Sequence, residues 1–323
     1  MHAARITCLD GPSAVEVTEV AAPERQGDQV LIEVHRAGVA FPDVLQTRGQ
    51  YQLKPDLPFT PGAEVAGVVQ EAPEGSSLTV GQRVAAFSVL GGYAEQVAVP
   101  ETMVLPVPDA MDLDTAAALP MNYLTCLFAL LHRGRLVEGE TVLVHGASGG
   151  IGTAGIQVAK AAGARVIAVV STAEKEPTAR AAGADEVILA EGFKDAAKSL
   201  TDGHGVDVVL DPVGGDRFTD SLRSLRTEGR LLVIGFTGGS IPEVKVNRLL
   251  LNNIEVVGVG WGAYWMSRPE LVGQQWSQLL DLWEKGGIEP PLGTTYPLAQ
   301  AADALAELDE RRAQGKVLLR VRD

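Results

Sequence analysis

The chain has 323 residues, 46% of them hydrophobic, and a formal net charge of −14 at pH 7. This length exceeds that of one ordinary domain and predicts two. A strongly acidic chain lacks the basic face that nucleic-acid phosphates or an anionic membrane require, which disfavours both as partners. The sequence has no secretory pattern at its start and no uninterrupted apolar stretch of about eighteen residues, so we expect a cytoplasmic protein.

The two cysteines of the chain are Cys8 and Cys126, which lie far apart in apolar sequence. Two isolated cysteines provide neither a disulfide framework nor a cysteine-rich metal site. We therefore expect both to be buried as small hydrophobic residues.

Short β-rich runs separated by glycine and proline fill the first 119 residues. The predicted strands are residues 30–34, 64–69 and 93–99. Residues 41–47 are predicted to form a short helix, which Pro42 opens at a position where a missing N–H costs little. This pattern is typical of a mostly-β domain with a closed or half-closed core.

The middle of the chain alternates strands and helices with short loops. The predicted strands are residues 141–145, 165–170, 186–189, 206–210 and 229–235, and the predicted helices are residues 150–162, 174–182, 193–200 and 216–225. Strict alternation predicts right-handed crossovers and therefore a doubly wound parallel sheet, an α/β domain.

The C-terminal part of the chain returns to a mixed pattern, with predicted helices over 267–285 and 298–314 and a strand over 316–321. That last strand has no neighbour in the parallel sheet, so its simplest place is in the N-terminal β domain. We thus predict a mostly-β domain made of residues 1–119 and 262–323, into which an α/β domain of residues 120–261 is inserted.

The strongest local signal is the sequence VHGASGGIG at 144–152, which follows a predicted strand and opens a predicted helix. Ala147, Gly149 and Gly152 take the three positions of the G-x-G-x-x-G fingerprint of dinucleotide-binding domains. In such a loop the free N–H groups of the helix N-terminus receive phosphates. The predicted cofactor contacts in the loop are Ser148, Gly149, Gly150, Ile151 and Gly152.

The end of the second strand indicates which dinucleotide is bound. An NAD site places Asp or Glu there to accept hydrogen bonds from the ribose hydroxyls. Here Val170 and Ser171 carry no acid, while Ser171 and Lys175 offer a donor and a positive charge to a 2′-phosphate. The sequence therefore predicts NADPH.

Further motifs indicate a family. They are GVAFPD at 38–43, RGQY at 48–51, PFTPGAEVAG at 58–67 and GKV at 315–317. With the glycine loop, the chain resembles the quinone oxidoreductase (zeta-crystallin-like) branch of the medium-chain dehydrogenase/reductase superfamily over essentially its whole length. The resemblance implies a GroES-like catalytic domain built from both chain ends, an inserted Rossmann domain, NADPH dependence and usually a homodimer.

The departures from the zinc enzymes of that superfamily concern two metal ligands. The sequence has Ala40 where those enzymes carry cysteine and Ala63 where they carry histidine, so a zinc-independent enzyme is expected. Quinone oxidoreductases usually have Asn at the position of Ala40. Arg311 matches an arginine that reaches the adenosine phosphate in relatives, and Ala190 stands where some relatives have an assisting tyrosine.

The remaining site assignments follow from the resemblance. Asp43 and Tyr51 are the candidate catalytic residues, and Glu64 is expected to be an inward carboxylate bonded to backbone. Tyr123 and Thr125 are expected to flank the nicotinamide, and further cofactor contacts are assigned to Gly235 and Phe236.

Three functions remain open from sequence. The first is hydride transfer from NADPH to a quinone, with positioning and the electron deficiency of the substrate as the main contributions to rate. The second is reduction of an activated alkene, either an enoyl thioester or a 2-alkenal, and the third is a nucleotide-dependent binding or structural role without turnover. Residues 253–259 are predicted to form an exposed edge strand, through which a homodimer would form.

Overall fold

A computed structural model describes residues 1–322 of the chain. These residues form two compact units. The first unit contains Met1–Met121, Pro269–Trp276 and the chain from Leu292 onward, and the second contains Asn122–Arg268 and Ser277–Pro291. The domain division predicted from sequence differs in placing all of residues 262–323 in the first domain.

The first unit is built mainly on antiparallel β-structure, with one parallel pair. Its strands are β1 His2–Ile6, β2 Val15–Glu19, β3 Gln29–Gly38, β4 Glu64–Glu71, β5 Arg83–Phe87, β6 Gln96–Pro100, β7 Val104–Pro106, β14 Leu292–Pro297 and β15 Lys316–Arg320. Seven of them form a sheet of order β14-β15-β3-β4-β5-β7, with β6 paired to β3, while β1 and β2 pair separately. Its helices are α1 Phe41–Gln46, α2 Leu113–Ala118 and α11 Ala301–Asp309.

The last strand of the chain lies in this sheet, as the sequence predicts. Strand β15 pairs antiparallel with β3, Leu318 opposite Gly38 and Leu319 opposite Ala37. Both leucines are fully buried, so the closing strand contributes to the core of a unit that began about 300 residues earlier. Burial of these apolar side chains is the main reason for the chain to return here.

The second unit contains a six-stranded parallel sheet. Its strands are β8 Thr141–His145, β9 Arg165–Val170, β10 Glu186–Leu189, β11 Val206–Asp211, β12 Leu225–Val233 and β13 Glu255–Gly258. Six helices lie between or after these strands. They are α4 Gly150–Ala161, α5 Glu176–Ala181, α6 Phe193–Ser199, α7 Phe218–Ser224, α8 Asn247–Asn252 and α9 Trp261–Trp265. Helix α3 Pro120–Leu127 begins in the first unit, and α10 Glu270–Glu284 has residues in both units.

The strand order β10-β9-β8-β11-β12-β13 is that of a Rossmann fold, with its reversal between β8 and β11. Four adjacent strands each contribute a fully buried side chain to one core cluster, namely Leu143, Ile167, Val209 and Leu231. In such sheets ligands bind at the carboxyl ends of the strands, beside the reversal. That position is where the glycine loop follows β8.

Some predicted elements are corrected by the structure. The helix expected over 174–182 is a 3₁₀ turn, Ala173–Lys175, followed by α5, because Pro177 starts a new helix at its first turn. The helix expected over 298–314 is shorter, since α11 ends at Asp309 and Arg311 has a left-handed φ of 58°.

Two further differences concern strands and a cysteine. Strands β1, β2, β5, β7 and β14 were not predicted, because strands of three to six residues give only a weak pattern. The expectation that both cysteines are buried is wrong for Cys8, which is exposed in a bend just after β1, whereas Cys126 is buried. Over residues 1–322, no helix has the length and apolar character needed to cross a membrane.

Candidate functional site

The glycine loop of the second unit connects β8 to α4 in a tight turn. Gly146 has a φ of +59°, and the Gly149 amide donates to the Gly146 carbonyl at 3.0 Å. Gly149 is the N-cap of α4, whose first turn carries no acidic side chain. The N–H groups of that turn and the helix dipole therefore face no competing carboxylate of their own helix.

Two glycines of this loop have different surroundings. A Cβ at Gly152 would lie 2.2 Å from the Gly146 carbonyl oxygen and 2.6 Å from the Ala147 Cα, so only glycine lets the helix pack against the loop. At Gly149 the nearest atom would be that same Gly146 oxygen at 3.5 Å, an ordinary contact. The space beside Gly149 is thus open in the protein, which fits close approach of a pyrophosphate.

Helix α3 brings a residue to this loop that the sequence did not single out. Asn122 is buried, and a Cβ at Gly150 would lie 2.3 Å from its amide nitrogen. Asn122 therefore packs directly on the start of α4. The available signal was its position beside Tyr123 on the helix that enters the α/β domain.

Tyr123 and Thr125, assigned from the resemblance to the nicotinamide, lie on α3 and are both buried. The Tyr123 hydroxyl donates to Gln157 Oε1 at 2.8 Å. Burial raises the pKa of this phenol well above its usual value. The hydroxyl is thus used within the unit to hold α4, and the cofactor contact of this residue stays a prediction.

The end of β9 presents the groups assigned to the 2′-phosphate. Ser171 follows the strand and is exposed, and Lys175 is half-buried at the end of the 3₁₀ turn. Glu174 is exposed, and hydrogen bonds from its own backbone and from Thr172 lower the pKa of its carboxyl. The region therefore places the Ser171 hydroxyl and the Lys175 ammonium close in sequence to the ionised Glu174 carboxylate.

A turn that the sequence did not single out lies at the end of β11. The Asp211 carboxylate is buried and accepts from the amides of Val213 and Gly214 at 2.8 and 2.9 Å. Val213 in turn lies beside Gly146 of the glycine loop, since a Cβ at Gly146 would meet its Cγ2 at 3.3 Å. Asp211 thus supports the loop from the neighbouring strand across the sheet reversal.

The segment after β12 carries two further residues assigned to the cofactor, Gly235 and Phe236. Phe236 is 36% exposed, and its ring lies beside Gly214, where a Cβ would approach it to 2.9 Å. These residues therefore belong to the same carboxyl edge of the sheet as the Asp211 turn and the glycine loop. His145, at the end of β8, is fully buried and bonded through Nε2 to Ser221 Oγ at 2.8 Å, so it lies in the core of the second unit.

In the first unit, Asp43 is fully buried on α1. Its Oδ2 accepts from the Ala40 amide at 2.9 Å and from the Tyr93 hydroxyl at 2.8 Å. Burial raises the pKa of the Asp43 carboxyl to about 6, against the opposing effect of these two hydrogen bonds. Tyr93, whose ring is fully buried, was not recognised from sequence because it lies 50 positions from Asp43.

Glu64 has the structural role that the sequence predicts. It is fully buried, and its Oε2 accepts from the Met121 amide at 2.7 Å. Its other oxygen is paired with the Lys316 ammonium, which is also buried. The pair joins β4 to β15.

Ala40 and Ala63 are both buried, at 5% exposure each. Their methyl groups offer no ligand to a metal ion. Within residues 1–322, no three His, Cys, Asp or Glu side chains come together as a metal site.

Tyr51 lies in the loop after α1 and is half-buried. Burial raises the pKa of its phenol, and the negative charge of Asp43 raises it further. Tyr51 and Asp43 therefore interact electrostatically. By contrast, Arg311 is exposed. It lies just after α11 and its backbone has a left-handed φ.

The chemistry available in the two units is complementary. The second unit offers helix N–H groups, small residues and a cation to a phosphorylated dinucleotide. The first unit offers the half-buried Tyr51 phenol and the buried Asp43 carboxyl, groups that can hold or move a proton.

Comparison with known proteins identifies the class of the chain. The family described as alcohol dehydrogenase GroES-like domain matches residues 26–109, and the family described as zinc-binding dehydrogenase matches residues 150–285. The chain belongs to the medium-chain dehydrogenase/reductase superfamily and is an oxidoreductase of that superfamily.

Within the superfamily, the chain is similar to quinone oxidoreductases. It is 40% identical to quinone oxidoreductase-like protein 2 of Rattus norvegicus, over 98% of this chain and 92% of that protein. The crystal structure of a probable oxidoreductase from Mycobacterium abscessus has 44% identity and a TM-score of 0.92, with 99% of both chains covered. The quinone oxidoreductase of Thermus thermophilus, solved also as its complex with NADPH, has 35% identity and a TM-score of 0.87, covering 99% of this chain and 100% of its own.

Proposed function

We propose that this protein is a zinc-independent oxidoreductase that takes hydride from NADPH and reduces a quinone. The observation that carries the proposal is the glycine loop, with open space at Gly149 and an acid-free first helix turn, followed by a second strand that ends without Asp or Glu. The similarity to quinone oxidoreductases, one of them solved with NADPH, supports it.

The residues of the second unit hold the cofactor in this proposal. The loop residues Ser148, Gly149, Gly150, Ile151 and Gly152 receive the pyrophosphate, and Ser171 and Lys175 receive the 2′-phosphate. Tyr123, Thr125, Gly235 and Phe236 complete the cofactor contacts. When bound, NADPH supplies a hydride, so the chain itself needs no redox-active side chain.

Asp43 and Tyr51 are the residues we assign to the reaction. Tyr51 contacts the substrate, and Asp43 acts on Tyr51 through its charge. A quinone acquires charge on two oxygens that water can protonate, so the phenol mainly shapes the pocket for that substrate. An activated alkene must be protonated after hydride transfer, and the phenol then has a chemical role.

Reduction of an enoyl thioester or a 2-alkenal is the second candidate function. The titratable pair of a phenol and a buried carboxyl favours it, because a substrate that takes a proton on carbon requires a positioned acid. A small electron-poor molecule is the partner in either case. We also propose that the chain forms a homodimer and works in the cytoplasm.

The proposal is tested by measuring oxidation of NADPH and of NADH in parallel with quinones, crotonyl thioesters and 2-alkenals. We expect turnover with NADPH to exceed turnover with NADH by about tenfold or more in kcat/KM, the effect of one charge-assisted hydrogen bond. Elemental analysis of the active protein should find no stoichiometric zinc, and chelators should leave the rate unchanged. Equal use of NADH, or one zinc per chain, would contradict the assignment, and absence of turnover on every substrate would favour a binding role.

A further inference from the structure

Asp43 is the centre of a buried cluster of ionisable side chains in the first unit. Its Oδ2 accepts two hydrogen bonds, from the Ala40 amide and the Tyr93 hydroxyl. Its Oδ1 is equally buried and has no hydrogen-bond partner among residues 1–322. Two donors favour the ionised carboxylate, while full burial of an unpaired oxygen disfavours it. The carboxyl is therefore held near the balance between its two protonation states.

The charged and titratable groups that face Asp43 come from four other parts of the unit. Lys316 on β15 favours the ionised form of Asp43, and Glu64 on β4 opposes it. Tyr93 donates its hydroxyl proton to Asp43, and the pKa of this phenol is raised well above its usual value by burial and by that contact. Tyr51 is half-buried and follows Gln50, whose amide donates to the Leu45 carbonyl of α1 at 2.9 Å, so it lies at the end of the helix that carries Asp43. The charge of Asp43 raises the pKa of the Tyr51 phenol.

We propose that Asp43 is a positioning residue for proton delivery: its buried carboxyl, with Oδ2 held by the Ala40 amide and the Tyr93 hydroxyl and Oδ1 unpaired, changes its protonation state, and its charge thereby sets the acidity of the Tyr51 phenol. The inference rests on the proposed function, because only a reaction that leaves an anion on the substrate uses this acidity. It assigns to Asp43 a role through Tyr51, without contact to the substrate.

Atoms and electrons balance in the proton-transfer step. Hydride transfer leaves an electron pair on the substrate, at the α-carbon of an activated alkene or at a hydroquinone oxygen. The O–H bond of Tyr51 breaks, its proton bonds to that atom, and the tyrosinate regains a proton from water. With Asp43 neutral, the negative charge that opposes the tyrosinate is absent, so proton transfer from Tyr51 is easier.

The protonation of Asp43 is measured directly by infrared difference spectroscopy between about pH 5 and pH 8, a window that brackets its raised pKa of about 6. We expect the carbonyl stretch of a protonated carboxyl at the acid end, its loss with a midpoint near that pKa, and its absence from the Asp43→Asn variant. This readout needs neither cofactor nor turnover. A spectrum in which Asp43→Asn leaves the titrating carboxyl band unchanged would overturn the proposal.

The link to Tyr51 is measured through tyrosinate absorbance. The difference between wild type and Tyr51→Phe isolates Tyr51 from the other tyrosines of the chain. The same difference taken in the Asp43→Asn background should begin at lower pH, because the opposing charge is gone. Coincident curves in the two backgrounds would contradict the coupling.

The catalytic consequence is read from the pH dependence of kcat with a 2-alkenal. We expect kcat of the wild type to fall about threefold from about pH 5.5 to 8, and kcat of Asp43→Asn to keep the acid value throughout. Tyr93→Phe removes a hydrogen bond that favours ionised Asp43 and should move the midpoint to higher pH, while Tyr51→Phe should abolish the dependence. Retention of the wild-type profile in Asp43→Asn would overturn the proposal, whereas failure to reduce any substrate would overturn only the proposed function, since both spectroscopic tests still apply.

Discussion

At the scale of single residues, two neighbouring charges lie where we expect the 2′-phosphate of NADPH. Lys175 is a cation and Glu174 an ionised carboxylate, both at the end of β9. Their effects on a 2′-phosphate have opposite signs, so the two side chains form a matched pair for testing which nucleotide this strand end recognises.

The Lys175→Ala variant should have a KM for NADPH raised about tenfold, the loss of one charge-assisted hydrogen bond, with NADH kinetics nearly unchanged. Glu174→Gln is the control of opposite sign and should lower the KM for NADPH. Initial-rate kinetics with both nucleotides measure this. An equal effect of Lys175→Ala on NADPH and NADH would indicate a structural role for the lysine.

Asp43 also affects the stability of the fold, with a sign that its raised pKa determines. In the folded protein the Asp43 carboxyl keeps its proton up to a pH of about 6, whereas in the unfolded chain it releases the proton near its ordinary pKa of 3.8. Folding therefore binds a proton between these values, and the free energy of unfolding decreases as the pH rises from about 4 to 6.

Asp43→Asn should remove this decrease in the free energy of unfolding. At about pH 7.5 we expect the variant to gain stability relative to wild type by up to about 3 kcal/mol, and at about pH 4 to differ little. The asparagine keeps an acceptor for the Ala40 amide and the Tyr93 hydroxyl. Urea unfolding at both pH values provides the measurement, and an equal pH dependence in the two proteins would argue against a titrating Asp43.

At the scale of secondary-structure elements, the junction of β8 and α4 separates two uses of glycine. Gly152 has no room for a Cβ because the Gly146 carbonyl would be 2.2 Å away, while Gly149 has an ordinary contact at 3.5 Å. Gly152 is thus required by the packing of the helix on the loop that precedes it. The other is required only if a ligand approaches.

These two glycines give a prediction with a built-in control. Gly149→Ala should leave the thermal midpoint within about 2 °C of wild type, but weaken NADPH binding about tenfold or more because the methyl group occupies the place of the pyrophosphate. Gly152→Ala should lower the thermal midpoint clearly. Calorimetric titration with NADPH and thermal unfolding measure both effects, and unchanged NADPH affinity in Gly149→Ala would contradict the proposed site.

At the scale of the whole molecule, the second unit leaves the outer edge of β13 without a neighbouring strand within residues 1–322. The segment before it exposes several apolar side chains. Ile241, Val246, Leu250 and Leu251 are each at least 70% exposed. An open edge strand beside an apolar surface favours pairing with a second copy about a two-fold axis, because both features are then covered symmetrically.

We therefore expect a dimer in sedimentation experiments at micromolar concentration. The double change Leu250→Glu and Leu251→Glu should produce a monomer, since the charges that it buries in the interface would face no partner. Val80→Glu is the control, because Val80 is 72% exposed but lies in the first unit. A monomeric wild type, or a dimer that survives the double change, would exclude this surface as the interface.

The sequence by itself determined the alternating strands and helices of the second unit and the position of the glycine loop among them. The buried parallel strands read as continuous apolar runs, and the glycine spacing between β8 and α4 is typical of a close approach of backbone to ligand. Both are local signals, carried by neighbouring residues of the chain. The absence of an acid after β9 is local in the same way, which is why the choice of dinucleotide was open to prediction.

Only the tertiary structure decided what surrounds the candidate catalytic residues. Asp43 meets Tyr93 across 50 positions of sequence, and Glu64 meets Lys316 across 252. Asn122 reaches Gly150, and Asp211 supports the turn beside Gly146, through contacts between different elements. The burial of Asp43 raises its pKa and depends on the packing of α1 within the first unit. Desolvation is a property of all the atoms that surround a group and not of its neighbours in the chain.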